Sequence, residues 1–227
     1  MSTKTDYSNY EINKSSFVVG YRLIILILGV GDLVYANVSS LLGGTLLSPD
    51  KYFTYQSNFF IMVWVALALL WRNDPEKLKK IYGPLHAILT VYISVTFLVY
   101  GIILAPLSNP TGAEVYLNII HHYLNPVVFI LDFFYTERKN YSWKVVGPMI
   151  IYPHLYLVFS FIMGSYITVG DYIYPFLDFA KLGVAGYIRW YLILIVLFLM
   201  LFVVYTGFVK YMEKRTLQET SPKYQPA

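Results

Sequence analysis

Six long apolar runs dominate this sequence, and they constrain its fold more than any other feature. A helix needs about 20 mainly apolar residues to cross the hydrocarbon core of a membrane. Runs of roughly that length lie at 17–42, 54–71, 81–104, 116–135, 145–166 and 186–210. Charged residues make up only 13% of the chain, whereas soluble domains average about 25%. These features predict an all-α polytopic membrane protein with six transmembrane helices.

The basic residues predict how these helices are oriented. Of the 17 Lys and Arg residues, thirteen lie in the N-terminal segment, in the loops after the second and fourth runs, and in the C-terminal tail. Cytoplasmic loops are enriched in Lys and Arg, so both termini are expected in the cytosol. The chain then divides into a cytosolic N-terminal segment (1–16), a transmembrane domain (17–210) and a polar cytosolic tail (211–227), which is expected to be disordered.

Composition and histidine placement argue against several kinds of chemistry. The chain has no cysteine, so disulfides, thiolate nucleophiles and cysteine metal sites are ruled out. The formal net charge of +4 comes from basic residues spread over several loops, which argues against nucleic acid as a partner. A b-type haem would need two histidines facing each other at one depth, whereas His86 and His121 are expected near opposite membrane faces. No metal site and no cofactor are predicted.

Two polar residues inside different apolar runs are predicted to lie at the same membrane face. Thr54 begins the second helix, and His121 lies about five residues, or roughly 7–8 Å, into the fourth. Both helices enter from the non-cytosolic face, and Asp32 reaches the same half of the membrane from the first helix. The polar neighbours of this pair are Asn58, Asn118, His122 and Asn125. Because polar groups are costly in hydrocarbon and often mark function, we expect a polar cavity open to that face.

Each of these residues also has a purely structural explanation. Thr54 could cap its helix with the hydroxyl, as threonine often does. Asn58, His121 or His122 could simply form hydrogen bonds between helices. Asp32 is the hardest to explain in this way, because an unpaired carboxylate at that depth is expensive. Its candidate partners are His121, His122 and Lys51, and it could also be protonated.

Three short segments carry a more specific signal. They are YFTYQSN at 52–58, LNIIHHYLNP at 117–126 and YPFLD at 174–178. Together they resemble the androgen-induced-gene family of small multi-pass membrane proteins, including its bacterial members. The resemblance implies a hydrolase of fatty acid esters of hydroxy fatty acids that uses an intramembrane threonine and histidine. Thr54 matches the family threonine, and His121 matches the histidine by its distance of five residues to Pro126, with His122 as the neighbouring alternative.

A hydroxyl beside an imidazole is the minimum set for nucleophilic acyl transfer. The expected mechanism therefore uses Thr54 as nucleophile and His121 as general base, with Asp32 as a candidate for orienting the imidazole. An oxyanion donor or substrate-binding group is also required. The candidates for it are Asn58, Asn118, His122 and Asn125. The substrate is expected to be a lipid ester that enters from the bilayer, and the alternatives are a non-catalytic membrane scaffold and a small-molecule transporter.

Overall fold

The computed structural model of the protein describes residues 10–45 and 48–219. Six long helices form most of this part of the chain. They are α1 (Ser16–Leu42), α2 (Phe53–Leu70), α3 (Pro84–Leu107), α4 (Ala113–Thr136), α5 (Trp143–Ile167) and α6 (Phe179–Glu219). Each is long and apolar enough to cross a membrane, and the described part of the chain contains no strand. The prediction of an all-α polytopic membrane protein with six spanning helices is confirmed.

The helices α2 and α3 lie at the centre of the bundle. In their most apolar stretches 56% and 61% of the residues are buried, against 28% in α1 and in α5. The outer helices instead expose large apolar side chains, such as Phe17, Ile27 and Val203. A helix that is apolar on its outer face as well as its inner face is typical of a membrane span, where lipid covers the outer face.

Successive spans run in opposite directions, so the connections fall into two groups. The connections α1–α2, α3–α4 and α5–α6 lie together at one end of the bundle, which we call the loop end. The beginning of α1 and the last turns of α6 lie at the other end, which we call the terminal end. Near the loop end, three helices contain a π-turn, at Tyr100–Leu104, Ile120–Leu124 and Met163–Ile167. Such turns are rare in proteins overall, and those that do occur are often found at functional sites.

A proline inside α5 links that helix to α3. Pro153 has no N–H group to donate to the carbonyl of Met149, one turn earlier. The hydroxyl of Tyr92 in α3 donates to that carbonyl instead, at 2.8 Å. Since lipid offers no hydrogen-bond donor, a carbonyl freed in this way has to find a partner within the protein.

The sixth helix differs from its prediction at both ends. It begins at Phe179 rather than near 186, and its first turn is set off by a non-helical backbone at Gly183 (φ 63°, ψ −177°). It also continues to Glu219. Residues 211–219, predicted to belong to a disordered tail, are therefore helical, because Met, Glu, Lys and Arg are good helix formers. The rest of that tail and residues 1–9 lie outside the described residues.

Candidate active site

Thr54 lies in the first turn of α2, yet its hydroxyl does not cap the helix. The N-cap position is held by Tyr52, and no side-chain capping hydrogen bond is made there. The carbonyl of Tyr52 accepts the N–H of Gln56, and the N–H of Phe53 is satisfied by the hydroxyl of Tyr156 at 3.0 Å. The capping explanation for Thr54 is therefore wrong, and its hydroxyl is buried without serving as a cap.

Thr54 lines a cavity at the loop end of the bundle. The cavity is small, with a volume of about 40 Å³, and is bounded by α2, α3, α5, α6 and the α5–α6 connection. Most of its wall is apolar, with contributions from Val95, Val99, Leu157, Leu194 and Phe198. Its polar groups are hydroxyls, on Thr54, Thr96, Tyr100, Tyr156 and Tyr174. The polar cavity expected from the sequence is thus replaced by an apolar one with a few polar groups, which is the usual composition of a small-molecule site.

The imidazole of His121 is held by the carboxylate of Asp32. Its Nδ1 lies 3.2 Å from Oδ2 and 3.3 Å from Oδ1 of Asp32, and both side chains are buried. A carboxylate at Nδ1 fixes the tautomer that carries its proton there and leaves Nε2 as the basic nitrogen. Of the partners considered for Asp32, the structure selects His121, whereas Lys51 lies 3.8 Å from Asp171.

Asn58 connects the backbones of the two candidate catalytic residues. Its Nδ2 donates to the carbonyl of Thr54 and to the carbonyl of His121, each at 2.9 Å. The second bond has a cause in the sequence. Pro126 follows a π-turn, so the carbonyl that lacks its usual N–H partner is the one five residues earlier, on His121. Both protons of the Asn58 amide are committed to these carbonyls, so Asn58 is a clamp between helices and not a free oxyanion donor.

Thr54 and His121 therefore lie at the same end of the bundle, on adjoining helices. The ring of Tyr55, next to Thr54 in the chain, lies 5.2 Å from the ring of His121. Within the described residues, no hydrogen bond joins the Thr54 hydroxyl to the His121 imidazole. Hydrogen bonds between catalytic groups are often long in ligand-free enzymes and shorten when substrate binds, so this arrangement is compatible with a nucleophile and its base.

His122 points towards a different neighbour from His121. Its ring stacks on that of Tyr100, which belongs to the wall of the Thr54 cavity. Its buried Nδ1 has no hydrogen-bond partner in the part of the chain that the structure describes. His122 therefore belongs to the outer layer of the cavity wall, behind Tyr100.

Two tyrosines beside Thr54 were not predicted to have a functional role. The hydroxyl of Tyr174, in the α5–α6 connection, interacts with the hydroxyls of Thr54 and Tyr156 and with the N–H groups that begin α2. Burial raises the pKa of Tyr174, so its phenol keeps its proton and can donate it. Tyr156 instead donates to the carbonyl of Lys51 at 3.0 Å. The YPFLD segment pointed to Tyr174, but no sequence rule connects that loop with the start of α2.

The remaining candidates lie further from the cavity. Asn125 donates to Asn58 at 3.0 Å, and its Oδ1 is buried without a hydrogen-bond partner among the described residues. Asn118 donates to the carbonyl of Glu114 in its own helix and is only half-buried. Neither lines the Thr54 cavity. In residues 10–45 and 48–219, no group of three or more His, Asp or Glu side chains is arranged to hold a metal ion.

The fold and the site together define a class, a polytopic all-α membrane protein with an apolar cavity lined by a buried threonine. A histidine–carboxylate pair, His121 and Asp32, lies at the same end of the bundle but does not line the cavity. Comparisons with protein-family models, with curated proteins and with solved structures find no match.

Proposed function

We propose that this protein is an intramembrane hydrolase of lipid esters. Its substrates are esters in which a fatty acid is joined to the hydroxyl group of a hydroxy fatty acid. Thr54 is the nucleophile, His121 is the general base and Asp32 orients the imidazole. The observation that carries the proposal is the buried Thr54 hydroxyl, which caps no helix and opens into an apolar cavity, while Asn58 ties the backbone of Thr54 to that of His121, the partner of Asp32. The resemblance to the androgen-induced-gene family supports the same two residues.

In the proposed reaction the Thr54 oxygen attacks the ester carbonyl carbon while its proton passes to Nε2 of His121. The tetrahedral intermediate then expels the alcohol, which takes that proton and leaves an acyl-threonine. Water, deprotonated by the same nitrogen, releases the fatty acid and restores the threonine. Asp32 keeps the proton of the neutral imidazole on Nδ1 and stabilises the imidazolium that forms in each half of the reaction.

The negative charge that develops on the carbonyl oxygen needs a donor, and we assign this role to Tyr174. Its hydroxyl lies at the first turn of α2, next to the Thr54 hydroxyl, where the carbonyl of a bound ester would be attacked. The N–H groups that begin α2 add the positive end of a helix dipole at the same point. A donor aimed at that position is worth most in a cavity with little water.

The apolar walls favour a substrate with long hydrocarbon chains. A groove on the outer face of α3 and α6 adjoins the cavity through Val99, which belongs to the wall of both. The groove is lined by apolar residues such as Ile103, Leu192, Val196 and Met200. Because lipid surrounds this face, an acyl chain can enter between α3 and α6 without crossing water. With both termini in the cytosol, as the basic residues indicate, the site lies in the non-cytosolic half of the membrane.

The deciding experiment is covalent labelling of the purified protein with a lipophilic fluorophosphonate, which reacts with activated hydroxyl groups. We expect wild type to be labelled on Thr54, as located by mass spectrometry, and Thr54→Ala and His121→Ala to lose the label. Thr96→Val is the matched control, because Thr96 lines the same cavity and should not be needed. Full labelling of folded Thr54→Ala would rule out the proposed nucleophile. If wild type is labelled on Thr54, it would next be screened with lipid esters.

A small-molecule transporter is the second candidate. It is favoured by the π-turns in α3, α4 and α5, since interrupted helices near a binding site are common in transporters. A folded wild type that takes no label, but moves a solute across the membrane of proteoliposomes, would support this candidate. If the protein neither takes the label nor moves a solute, a non-catalytic membrane scaffold becomes the favoured interpretation.

A further inference from the structure

A second cluster of ionisable side chains lies at the terminal end of the bundle, away from Thr54. Its members are Arg22, His86, Asp132 and Glu137, and none of them is more than 2% exposed. Ionisable groups inside a membrane protein are expensive and are usually paired with one another. The pairing here determines the charge on each member.

The hydrogen bonds of Asp132 require an ionised carboxylate. Its Oδ1 accepts Nε of Arg22 at 2.8 Å, and its Oδ2 accepts Nη2 of the same guanidinium at 2.9 Å. The hydroxyls of Tyr21 and Thr136 also donate to it. With donors on both oxygens, Asp132 forms a bidentate ion pair with Arg22.

Glu137 is likewise surrounded by donors. Its Oε2 accepts the N–H of Gly83 at 2.8 Å, and its Oε1 accepts the N–H of Lys139 at 2.7 Å. Backbone N–H groups can only donate, so both oxygens act as acceptors, and these bonds stabilise the ionised carboxylate. The third partner of Glu137 is Nδ1 of His86, 3.0 Å from Oε2.

The ring of His86 lies between these two carboxylates. Its Nδ1 faces Glu137, and its Nε2 lies 3.5 Å from Oδ2 of Asp132. A neutral imidazole protonated on Nδ1 would donate to Glu137 and leave the lone pair of Nε2, which makes no hydrogen bond among the described residues, beside the Asp132 carboxylate. Only the imidazolium presents positive charge to both carboxylates. The indole of Trp64 stacks on the same ring, with centroids 4.0 Å apart, and a cation favours that position.

The balance of charges in the cluster also favours a protonated His86. Arg22 offsets Asp132, whereas no lysine or arginine side chain hydrogen-bonds to the Glu137 carboxylate among the described residues. The other titratable side chains around the cluster are phenols or cations turned towards backbone carbonyls. They are Tyr21, Tyr82, Tyr141, Tyr205, Arg138 and Lys139, of which Arg138 binds the carbonyls of Phe134 and Glu137, and Lys139 binds that of Lys79. We propose that His86 binds a proton permanently and serves as the buried cation that joins α3 to the end of α4.

The first test is the protonation state of His86 in the folded wild type, measured by NMR of protein labelled with ¹⁵N in its histidines. His86→Gln assigns the signals. Two protonated ring nitrogens on His86 from neutral to mildly alkaline pH are expected. One unprotonated nitrogen at neutral pH would overturn the proposal. Because this measurement uses the wild-type chain, it decides the matter even where a variant fails to fold.

The second test is charge balance, read from melting temperatures. His86→Gln should lower the melting temperature by on the order of 10 °C, since it leaves a buried carboxylate unpaired. Adding Glu137→Gln should recover part of that loss, because it removes the excess charge. A double variant that is no more stable than His86→Gln would contradict the inference. His154→Gln is the matched control, because the one hydrogen bond of His154 within residues 10–45 and 48–219 is to the carbonyl of Ile150 in its own helix.

A proton bound only in the folded state makes stability depend on pH in a defined direction. The stabilisation is complete at neutral pH and is lost as the pH rises and the proton leaves. The melting temperature of wild type should therefore fall at alkaline pH more steeply than that of His86→Gln. Equal slopes would contradict the proposal. The result is independent of whether Thr54 reacts with a fluorophosphonate, so this inference and the proposed function can fail separately.

Discussion

His122 lies flat against Tyr100, with ring centroids 3.5 Å apart and planes 8° from parallel. The ring of the neighbouring His121, with its centroid 4.3 Å from that of His122, lies instead against Tyr55, and its Nδ1 faces Asp32. Adjacent histidines in one helix therefore have different surroundings. That difference predicts which of them acts as the base.

His122→Phe should keep fluorophosphonate labelling within about threefold of wild type, because a phenyl ring preserves the stacking on Tyr100. His121→Phe should lose labelling, because it removes the proposed base. The rate of labelling, measured for both variants at matched amounts of folded protein, distinguishes them. If His122→Phe is the inactive variant, the base has been assigned to the wrong histidine.

Asp32→Asn tests the orienting carboxylate. The amide has nearly the same shape, but it can donate to Nδ1 and favour the wrong tautomer of His121. We expect the labelling rate to fall by roughly 10- to 10⁴-fold, as in other enzymes with a carboxylate–histidine pair. Asp171→Asn is the control, since Asp171 is an exposed aspartate in the α5–α6 connection. An unchanged rate in folded Asp32→Asn would show that the contact is only structural.

Tyr174→Phe removes one oxygen from the cavity and leaves its packing intact. Loss of an oxyanion donor should slow the reaction by roughly 10²-fold with little change in affinity for the probe. Tyr172→Phe is a matched control, because its hydroxyl bonds to Ser165 in the same region. The saturation kinetics of labelling separate the two quantities. A change in probe affinity alone would indicate that Tyr174 helps to shape the cavity and does not stabilise charge.

Two glycines of α1 form a matched pair for helix packing. A methyl group on Gly29 would meet the sulfur of Met62 and would lie 3.0 Å from Nδ2 of Asn125, whereas nothing lies within 4 Å of one on Gly31. Gly29→Ala should therefore cost about 1–3 kcal/mol, as overpacking usually does. Gly31→Ala should be neutral or slightly stabilising, because alanine favours a helix. Thermal unfolding in detergent checks both, and equal melting temperatures would contradict the close approach at Gly29.

The absence of cysteine makes the proposed orientation simple to measure. Lys77→Cys places a thiol on the connection between α2 and α3, and Asn109→Cys places one on the connection between α3 and α4. In sealed membranes whose non-cytosolic face is outward, a membrane-impermeant maleimide should label only Asn109→Cys, and after permeabilisation it should label both. The reverse pattern would place the termini outside the cytosol.

The sequence was sufficient for the spans because a bilayer demands long apolar helices whatever their neighbours are. It also brought Thr54, His121 and Asp32 to one end, because depth follows from counting residues along a helix. It did not reveal Tyr174 beside Thr54, since that contact depends on how a loop folds back over the bundle. Nor did it predict the pairing of Asp132 with Arg22, which depends on the rotation of α1 and α4 about their axes.

The proline that follows the π-turn of α4 has a consequence for how the protein is assembled. Pro126 leaves the carbonyl of His121 without a donor from its own helix, and the donor comes from Asn58 of α2. Neither helix can complete this part of its hydrogen bonding alone after it enters the bilayer. The segment that carries His121 acquires its final shape only when α2 docks against α4, in the association stage that follows insertion. Enzymatic competence would then begin with helix association, and an inserted but unassembled chain would be inert.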